Sequence, residues 1–248
     1  MSYWYAFFVI IGIISILILI FGLPRKKSNR QPNIEGLDNP EVAKAFEKMT
    51  NFLPFKLLRR KVISRLKKFN PSGKLVDIGC GSGNLIIQIA EKLPKLNLVG
   101  VDISYEILSF ANKRAIEKKV DNKVEFKNGT VESLPFPNNS IDFIISTFSL
   151  HHWVNPIKAF KEIYRILKES GTLLIFDFRR DSRKFFYGFL TFITKVVAPK
   201  ALKNINEPLN SIQASYTVDE IHQFFSQVSF QNTEIKPFLT WMFISGKK

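Results

Sequence analysis

The chain has one cysteine, Cys80, among 248 residues. A single thiol cannot close an intramolecular disulfide, which excludes the cross-linked secreted scaffolds. Histidine is nearly as scarce. There are three, and the adjacent pair His151 and His152 has no acid or cysteine beside it in sequence, so no metal centre is expected. Acidic residues are also few: 21 Asp and Glu against 36 Lys and Arg leave a net charge of +15. That deficit suits an anionic partner, such as a membrane surface, a nucleic acid or an acidic substrate; a solubilising basic surface accounts for it equally well. Internal repeats and long low-complexity segments are missing. With 46% hydrophobic content the chain can build one globular domain with a real core.

What is present begins with an apolar run. Residues 3–23 carry no charged side chain and are dominated by Ile, Leu, Val and Phe. About 20 helical residues at ~1.5 Å each span ~30 Å, the thickness of bilayer hydrocarbon. Tyr3, Trp4 and Tyr5 stand at one end, and Arg25, Lys26, Lys27 and Arg30 follow the other. This asymmetry predicts a single-pass anchor with its C-terminal side in the cytoplasm. A cleaved signal peptide fits less well, since no positive region precedes the run and no small-x-small site follows it. The expected organisation is an anchor over residues 1–24, a polar linker over 25–39 containing Pro32 and Gly36, and a folded domain over 40–248.

The folded part opens with two helices. One covers 40–49, with Asp38 or Asn39 as cap. The other covers 55–69, with Phe55, Leu58, Val62, Leu66 and Phe69 on one face and Lys56, Arg59, Arg60, Arg65, Lys67 and Lys68 on the other. That basic face suits anionic headgroups or plain solvent. Strands are predicted at 74–78, 97–102, 124–128, 141–147 and 172–178, and helices at 84–93, 105–118 and 156–167. The alternation implies an α/β, doubly wound parallel sheet. After Phe178 it lapses. Residues 185–198 are apolar and aromatic, suited to a helix over a site mouth, one dipping into a membrane face, or an ordinary core helix. Thr217 and Glu220 mark a capping box.

Function is written around residues 75–84, Leu-Val-Asp-Ile-Gly-Cys-Gly-Ser-Gly-Asn. A β-branched run stops at alternating glycines and a helical pattern follows. α/β sheets hold nucleotides beyond their strand ends with such a unit. A second apolar run ends at Asp102, about 20 residues on, where a carboxylate can accept both hydroxyls of a ribose. The dinucleotide fingerprint would want its third glycine at position 84, which is Asn, so a nicotinamide-dependent reductase is disfavoured. Cys80, inside the glycine turn, reads as a small filler and not as a nucleophile.

Asp77–Gly83, Val101–Ser104, Gly129–Phe136, Phe143–Trp153 and Arg165–Lys168 with Gly171 stand in an order that resembles class I S-adenosylmethionine-dependent methyltransferases of type 11. The resembled branch includes the ubiquinone/menaquinone and other small-molecule methyltransferases. The resemblance is strong over 74–178 and weak beyond. It implies a seven-stranded Rossmann-like sheet closed by an antiparallel hairpin near 233–237 and 239–246. It implies S-adenosyl-L-methionine as cofactor, with Gly79, Gly81 and Gly83 approaching its methionine and ribose portions. Asp77 would help hold the ammonium, Asp102 the ribose hydroxyls, and Ile103 the adenine. Where the family commonly places an acid after Gly129, this chain has Thr130; its hydroxyl and the Val131 backbone would serve the adenine, with weaker binding expected. Lys168–Gly171 replaces a common Pro-Gly-Gly, a departure of structural meaning only.

His151 and His152 follow the fourth strand near the expected methyl position. Either is a candidate general base, and the same segment also reads as a pocket wall; the sequence does not separate the two histidines. His222, in the late helix, reads as surface or core. The expected activity is methyl transfer to a small, lipid-like acceptor by a membrane-anchored enzyme. The alternatives are RNA or protein methylation and a non-catalytic cofactor-binding membrane protein. No Asn/Asp-Pro-Pro-aromatic motif follows the fourth strand, so no nucleic-acid partner is expected; Thr130 is the sequence feature favouring the non-catalytic reading. The acceptor atom and oligomeric state are not written in the residues.

Overall fold

The computed structural model describes residues 2–22, 25, 28–32 and 39–248. Helix α1 (Ser2–Gly22) comes first, then α2 (Pro40–Thr50) and α3 (Leu53–Lys67). The alternating part runs β1 (Lys74–Ile78), α4 (Asn84–Lys92), β2 (Asn97–Asp102), α5 (Tyr105–Glu117), β3 (Val124–Asn128), β4 (Ile141–Thr147), α6 (Pro156–Ile166) and β5 (Leu167–Phe178). Next come α7 (Lys184–Phe192), a π-helical extension over Ile193–Val197, α8 (Lys200–Asn204), α9 (Leu209–Ala214), α10 (Val218–Phe225), β6 (Gln231–Pro237) and β7 (Trp241–Lys247).

The strands form one sheet in the order β3-β2-β1-β4-β5-β7-β6. Pairs among β1 to β5 are parallel, and β7 runs antiparallel to both neighbours. Neighbours reverse direction in sequence on either side of β1, so β1 and β4 flank the switch point where α/β sheets open a crevice. Both faces of the sheet are covered. Val76, Val99, Ile144 and Ile175 pack on one side with Phe160, Ile163, Ile221 and Phe225. Leu75, Leu98, Phe143 and Ile145 pack on the other with Val62, Leu66, Ile86 and Ile89. Successive strand residues alternate between these two cores, which is why the strands read as unbroken apolar runs.

Local chemistry sets the boundaries. Asn39 accepts from the N–H groups of Glu41 and Val42 and caps α2; Asp38 lies outside the described residues. Asn155 and Pro156 start α6, and the capping box of Thr217 and Glu220 starts α10. β5 begins at Leu167, five residues before the expected 172, because α6 passes directly into a strand whose first residue pairs with Ile141. Ser170 takes φ +65°, and a Cβ at Gly171 would sit 2.7 Å from the Lys168 carbonyl. The Lys-Glu-Ser-Gly departure is therefore an irregularity within β5, between β4 and β7.

The N-terminal expectations fare unevenly. α1 is helical, and its described side chains, Tyr3 to Ile18, are almost all exposed. Among the described residues no helix is long and apolar enough to cross a membrane, so the expected span has no counterpart there. Lys26, Lys27 and most of the expected linker, including Gly36, lie outside the described residues. Arg25, Ser28, Arg30 and Gln31 are bonded to the folded part, as detailed below. Arg59, counted from sequence with an outward basic face, points inward and is buried, and Arg65 is paired with Glu234.

Two glycines separate packing from propensity. A Cβ at Gly100 would lie 2.7 Å from the Phe126 ring and 2.9 Å from Cys80 Sγ, whereas one at Gly188 in α7 meets nothing within 4 Å. Gly100→Ala is expected to lose about 1–3 kcal/mol by overpacking. Gly188→Ala is expected to gain about 0.5–1 kcal/mol from helix propensity. Urea unfolding followed by circular dichroism measures both.

Candidate active site

The carboxyl ends of β1, β2, β4 and β5 converge on one cavity of about 250 Å³. Its floor is the turn after β1. Gly79 and Cys80 both donate to the Val101 carbonyl, at 2.8 and 3.1 Å, which ties the turn to β2. Gly79 has φ +69°, and a Cβ there would lie 2.1 Å from Ser149 Oγ, so this position admits only glycine. Gly81, at φ +53°, faces open space: nothing stands within 4 Å of a Cβ built on it. Gly83 starts α4, with Ala111 and Ile87 closely packed on it. Cys80 is buried, and burial first, then Asp102 and Asp77, push its thiol well above the usual range. It is a protonated filler, as the sequence suggests.

Asp102 at the end of β2 accepts from Gly81 N–H at 2.8 Å and from Ser104 N–H at 3.1 Å. One carboxylate thus holds the glycine turn and the turn after β2, and it lines the cavity. The next residue, Ile103, is 74% exposed in the cavity wall. An apolar side chain left this open at the base of a pocket offers a face to a flat ring. Val131 is buried nearby, and Thr130 lines the same wall, where its hydroxyl accepts from Glu132 N–H at 3.4 Å.

Two ionisable groups in the cavity have unfilled bonding capacity. Asp77 is 2% exposed, and its Oδ1 is buried with no hydrogen-bond partner. Burial first, and Asp102 second, push its carboxyl well above the ordinary range. Arg59 on α3 is buried, donates to the Thr50 carbonyl at 2.7 Å, and leaves Nε buried and unpartnered; burial pulls its guanidinium below its usual value. An orphaned acceptor and an orphaned donor in one cavity complement a zwitterion: an ammonium for Asp77 and a carboxylate for Arg59. Helix α2 closes this end. Glu47 pairs with Arg114 of α5, Arg114 also donates to the Ser82 carbonyl at 2.9 Å, and Asn84 donates to Thr50 Oγ1 at 3.2 Å.

The rest of the lining is largely aromatic, with Phe46, Phe55, Phe148, Trp153 and Phe178. Phe148 has φ +55°, a strained backbone held by its Phe176 bond and by ring contacts with Phe55, Phe176 and Phe178. The two histidines, inseparable by sequence, part company here. They lie in a 3₁₀ turn, Leu150–His152. His151 is 2% exposed; its Nδ1 lies 2.7 Å from Asp177 Oδ1, and its backbone N–H donates to Asp177 Oδ2 at 3.0 Å. A carboxylate on Nδ1 favours the tautomer with its proton there, leaving Nε2 as an acceptor. That Nε2 is buried and unpartnered. His152 stacks on the His151 ring at 3.9 Å. A nitrogen base oriented by a carboxylate, beside a cavity, is the arrangement of a general base. His222 is exposed on α10, away from the cavity lining.

Each residue singled out from sequence, from Asp77 and the three glycines to Asp102, Ile103, Thr130, Val131, His151 and His152, belongs to this end of the sheet, and all but Gly83 line the cavity. Sequence reasoning missed Arg59, Asp177 and the Glu207–Ser211 pair, which also lines the cavity with Ser211 Oγ donating to Glu207 at 2.5 Å. Asp177 carried a readable signal: like Asp77 and Asp102, it is an acid at the end of an apolar run. Among the described residues no group of His, Cys, Asp and Glu could hold a metal ion.

With this geometry in place, comparison with known proteins is informative. A family model for a methyltransferase domain matches residues 76–175. A ubiquinone/menaquinone biosynthesis C-methyltransferase from Rickettsia bellii is 28% identical over 85% of this chain and 86% of its own length. A crystal structure of an S-adenosylmethionine-dependent methyltransferase from Aquifex aeolicus shares the fold with a TM-score of 0.60 at 18% identity, covering 84% of this chain and 98% of that one. Phosphoethanolamine N-methyltransferase 2 of Haemonchus contortus, in complex with S-adenosyl-L-methionine, does so at 0.64 and 19% identity, over 86% of this chain and 58% of that one.

Asp77 sets a stability test. A carboxyl whose folded pKa exceeds its unfolded value binds its proton more readily when folded, so stability is withdrawn as pH rises through the interval between the two. Asp77→Asn removes that loss. The variant's urea midpoint without ligand is expected to exceed the wild type's above that interval, with the advantage shrinking on acidification toward the ordinary carboxylate range.

Proposed function

This chain is a class I S-adenosylmethionine-dependent methyltransferase, and we propose that its acceptor is a small apolar ring compound, phenol- or quinol-like, drawn from a membrane. The observation that carries the reading is His151: a buried base, oriented by Asp177, with a free nitrogen beside aromatic walls. The Rickettsia relative, named for quinone C-methylation, supports an acceptor of this class.

In this reading the polar end holds the donor. Asp77 binds the ammonium, Arg59 the carboxylate, and Asp102 the ribose hydroxyls. Ile103 and Val131 cover the adenine, with Thr130 beside it. When bound, S-adenosylmethionine supplies an electrophilic methyl carbon on a sulfonium and leaves as a neutral thioether. The protein supplies alignment and dryness. The aromatic lining orients the acceptor ring and excludes water, while helix α2 covers the donor end. His151 Nε2, which has no partner within the protein, takes the acceptor's hydroxyl proton and leaves the acceptor an electron-rich nucleophile for the methyl group the donor would supply. Asp177 stabilises the imidazolium that results.

Membrane attachment completes the proposal. The apolar side chains of α1 are exposed along its described length, and α1 touches α7. Phe189, Phe192, Val196 and Val197 are exposed at helical spacing on α7 and its extension, with Lys184, Lys195 and Lys200 also exposed. An apolar stripe with basic neighbours suits an anionic lipid surface. The basic residues after α1 favour a cytoplasmic catalytic domain.

Incubation of the full chain with methyl-labelled donor and total lipid extract is expected to label a quinone-like or phenolic lipid; label confined to RNA or protein would overturn the reading. His151→Ala is expected to lower kcat by about 10²–10⁴-fold, the usual scale for a general base, with donor affinity within about twofold by calorimetry. Asp77→Asn is expected to weaken donor binding by roughly 10–100-fold through loss of a charge-assisted bond. Because the ammonium draws Asp77 back to its ionised form, donor binding is also expected to release a proton wherever the empty site keeps Asp77 protonated, read from the dependence of binding heat on buffer.

A further inference from the structure

The segment directly after α1 is bonded to the back of the catalytic wall. Arg30 Nε donates to the Ala214 carbonyl at 2.6 Å, and its Nη2 donates to the His151 carbonyl at 2.9 Å. The guanidinium lies 4.3 Å over the Tyr216 ring, and Tyr216 in turn donates to the Trp153 carbonyl at 3.4 Å. Gln31 N–H donates to the Gln213 carbonyl at 3.1 Å. Buried Arg180 secures the segment from the domain side, with Nε on the Ser28 carbonyl at 2.9 Å, Nη1 on the Ser215 carbonyl and Nη2 on Glu220 at 2.7 Å. Arg25 reaches Asp181 at 3.6 Å. These bonds join positions as much as 184 residues apart in sequence.

His151 is thus gripped on three atoms. Asp177 takes its backbone N–H and its Nδ1, and Arg30 takes its carbonyl. The turn that carries it is short, three residues ending at His152. Without Arg30, two carbonyls in a part-buried wall lose a charged donor, and Tyr216, whose phenol burial raises to about 12, loses the cation stacked on it. A small rotation of the turn would re-aim Nε2 without touching Asp77, which lies in β1 on the other side of β4.

We propose that Arg30 is a positioning residue for His151, so that the segment following the N-terminal helix forms part of the catalytic apparatus. The proposal rests on His151 acting as the base, but its structural half is tested independently. The groups that bear on the His151 ring are Asp177 from β5, His152 from its own turn, Glu207 ahead of α9 in the same cavity, and Arg30 and Tyr216 behind the carbonyl.

The chain has three histidines, so a full-length sample labelled with ¹³C at histidine gives separable ring resonances, with His151→Ala supplying the assignment. Arg30→Ala is expected to shift the His151 ring resonance and to leave that of His222 unchanged. It is expected to lower kcat about tenfold or more, with donor Kd within about twofold. Arg30→Lys keeps the charge and one donor, so it is expected to recover part of both effects and provides a test should Arg30→Ala fold poorly. An unchanged His151 resonance and unchanged kcat in both variants would overturn the proposal. So would a loss of donor affinity as large as the loss of kcat. If His151→Ala turns over normally while Arg30→Ala still moves the His151 resonance, the base assignment fails and the positioning contact stands.

Discussion

Burying a carboxylate without a bonding partner is costly, and Asp77 carries that cost at the centre of this molecule. It sits in a parallel strand flanked on both sides by strands, so water reaches it only through the cavity. Asp102, close enough to raise its proton affinity further, is itself held by two backbone N–H groups. The sheet therefore keeps two acids together that repel one another. The arrangement is relieved when a cation arrives, and the donor brings an ammonium. Stability is set aside in the empty cavity and returned on binding.

Much of this was legible in the chain. The limits of β1, β2 and β4 agree with the apolar runs, because strands buried on both faces must be continuously hydrophobic. The glycine turn and Asp102 were readable because close backbone approach leaves few alternatives to glycine. The start of β5 was not, because α6 enters the strand with no breaker residue and the irregularity is made by Ser170 in a left-handed conformation. Arg59 was misread for a general reason: helical periodicity locates the apolar face, but an arginine at its border can turn either way, and only the neighbouring α2 decides. His151 and His152 are identical in composition and adjacent in position. Asp177, 26 residues on in sequence, distinguishes them.

The N-terminal segment is a second case in which composition gave the wrong emphasis. A polar stretch with proline and glycine reads as a tether, yet Arg30 and Gln31 are bonded to the segment 213–216 and the turn at 151, and Ser28 accepts from Arg180. Those partners are mostly backbone carbonyls, which leave no trace in a side-chain pattern. The same holds for Arg180, whose buried guanidinium bridges this segment to Glu220.

Ser149 has a consequence for how such an enzyme can diversify. Its Oγ occupies the space where Gly79 lacks a side chain, and it also accepts from the Trp153 indole at 3.1 Å. The donor turn and the acceptor wall thus share an atom, and neither can be remodelled alone. New substrate preferences have to be written elsewhere, in α2 and in the stretch from Glu207 into α9, which border the cavity without touching the glycine turn's own packing. A lineage of such enzymes would then keep its donor half nearly frozen while its roof drifts freely.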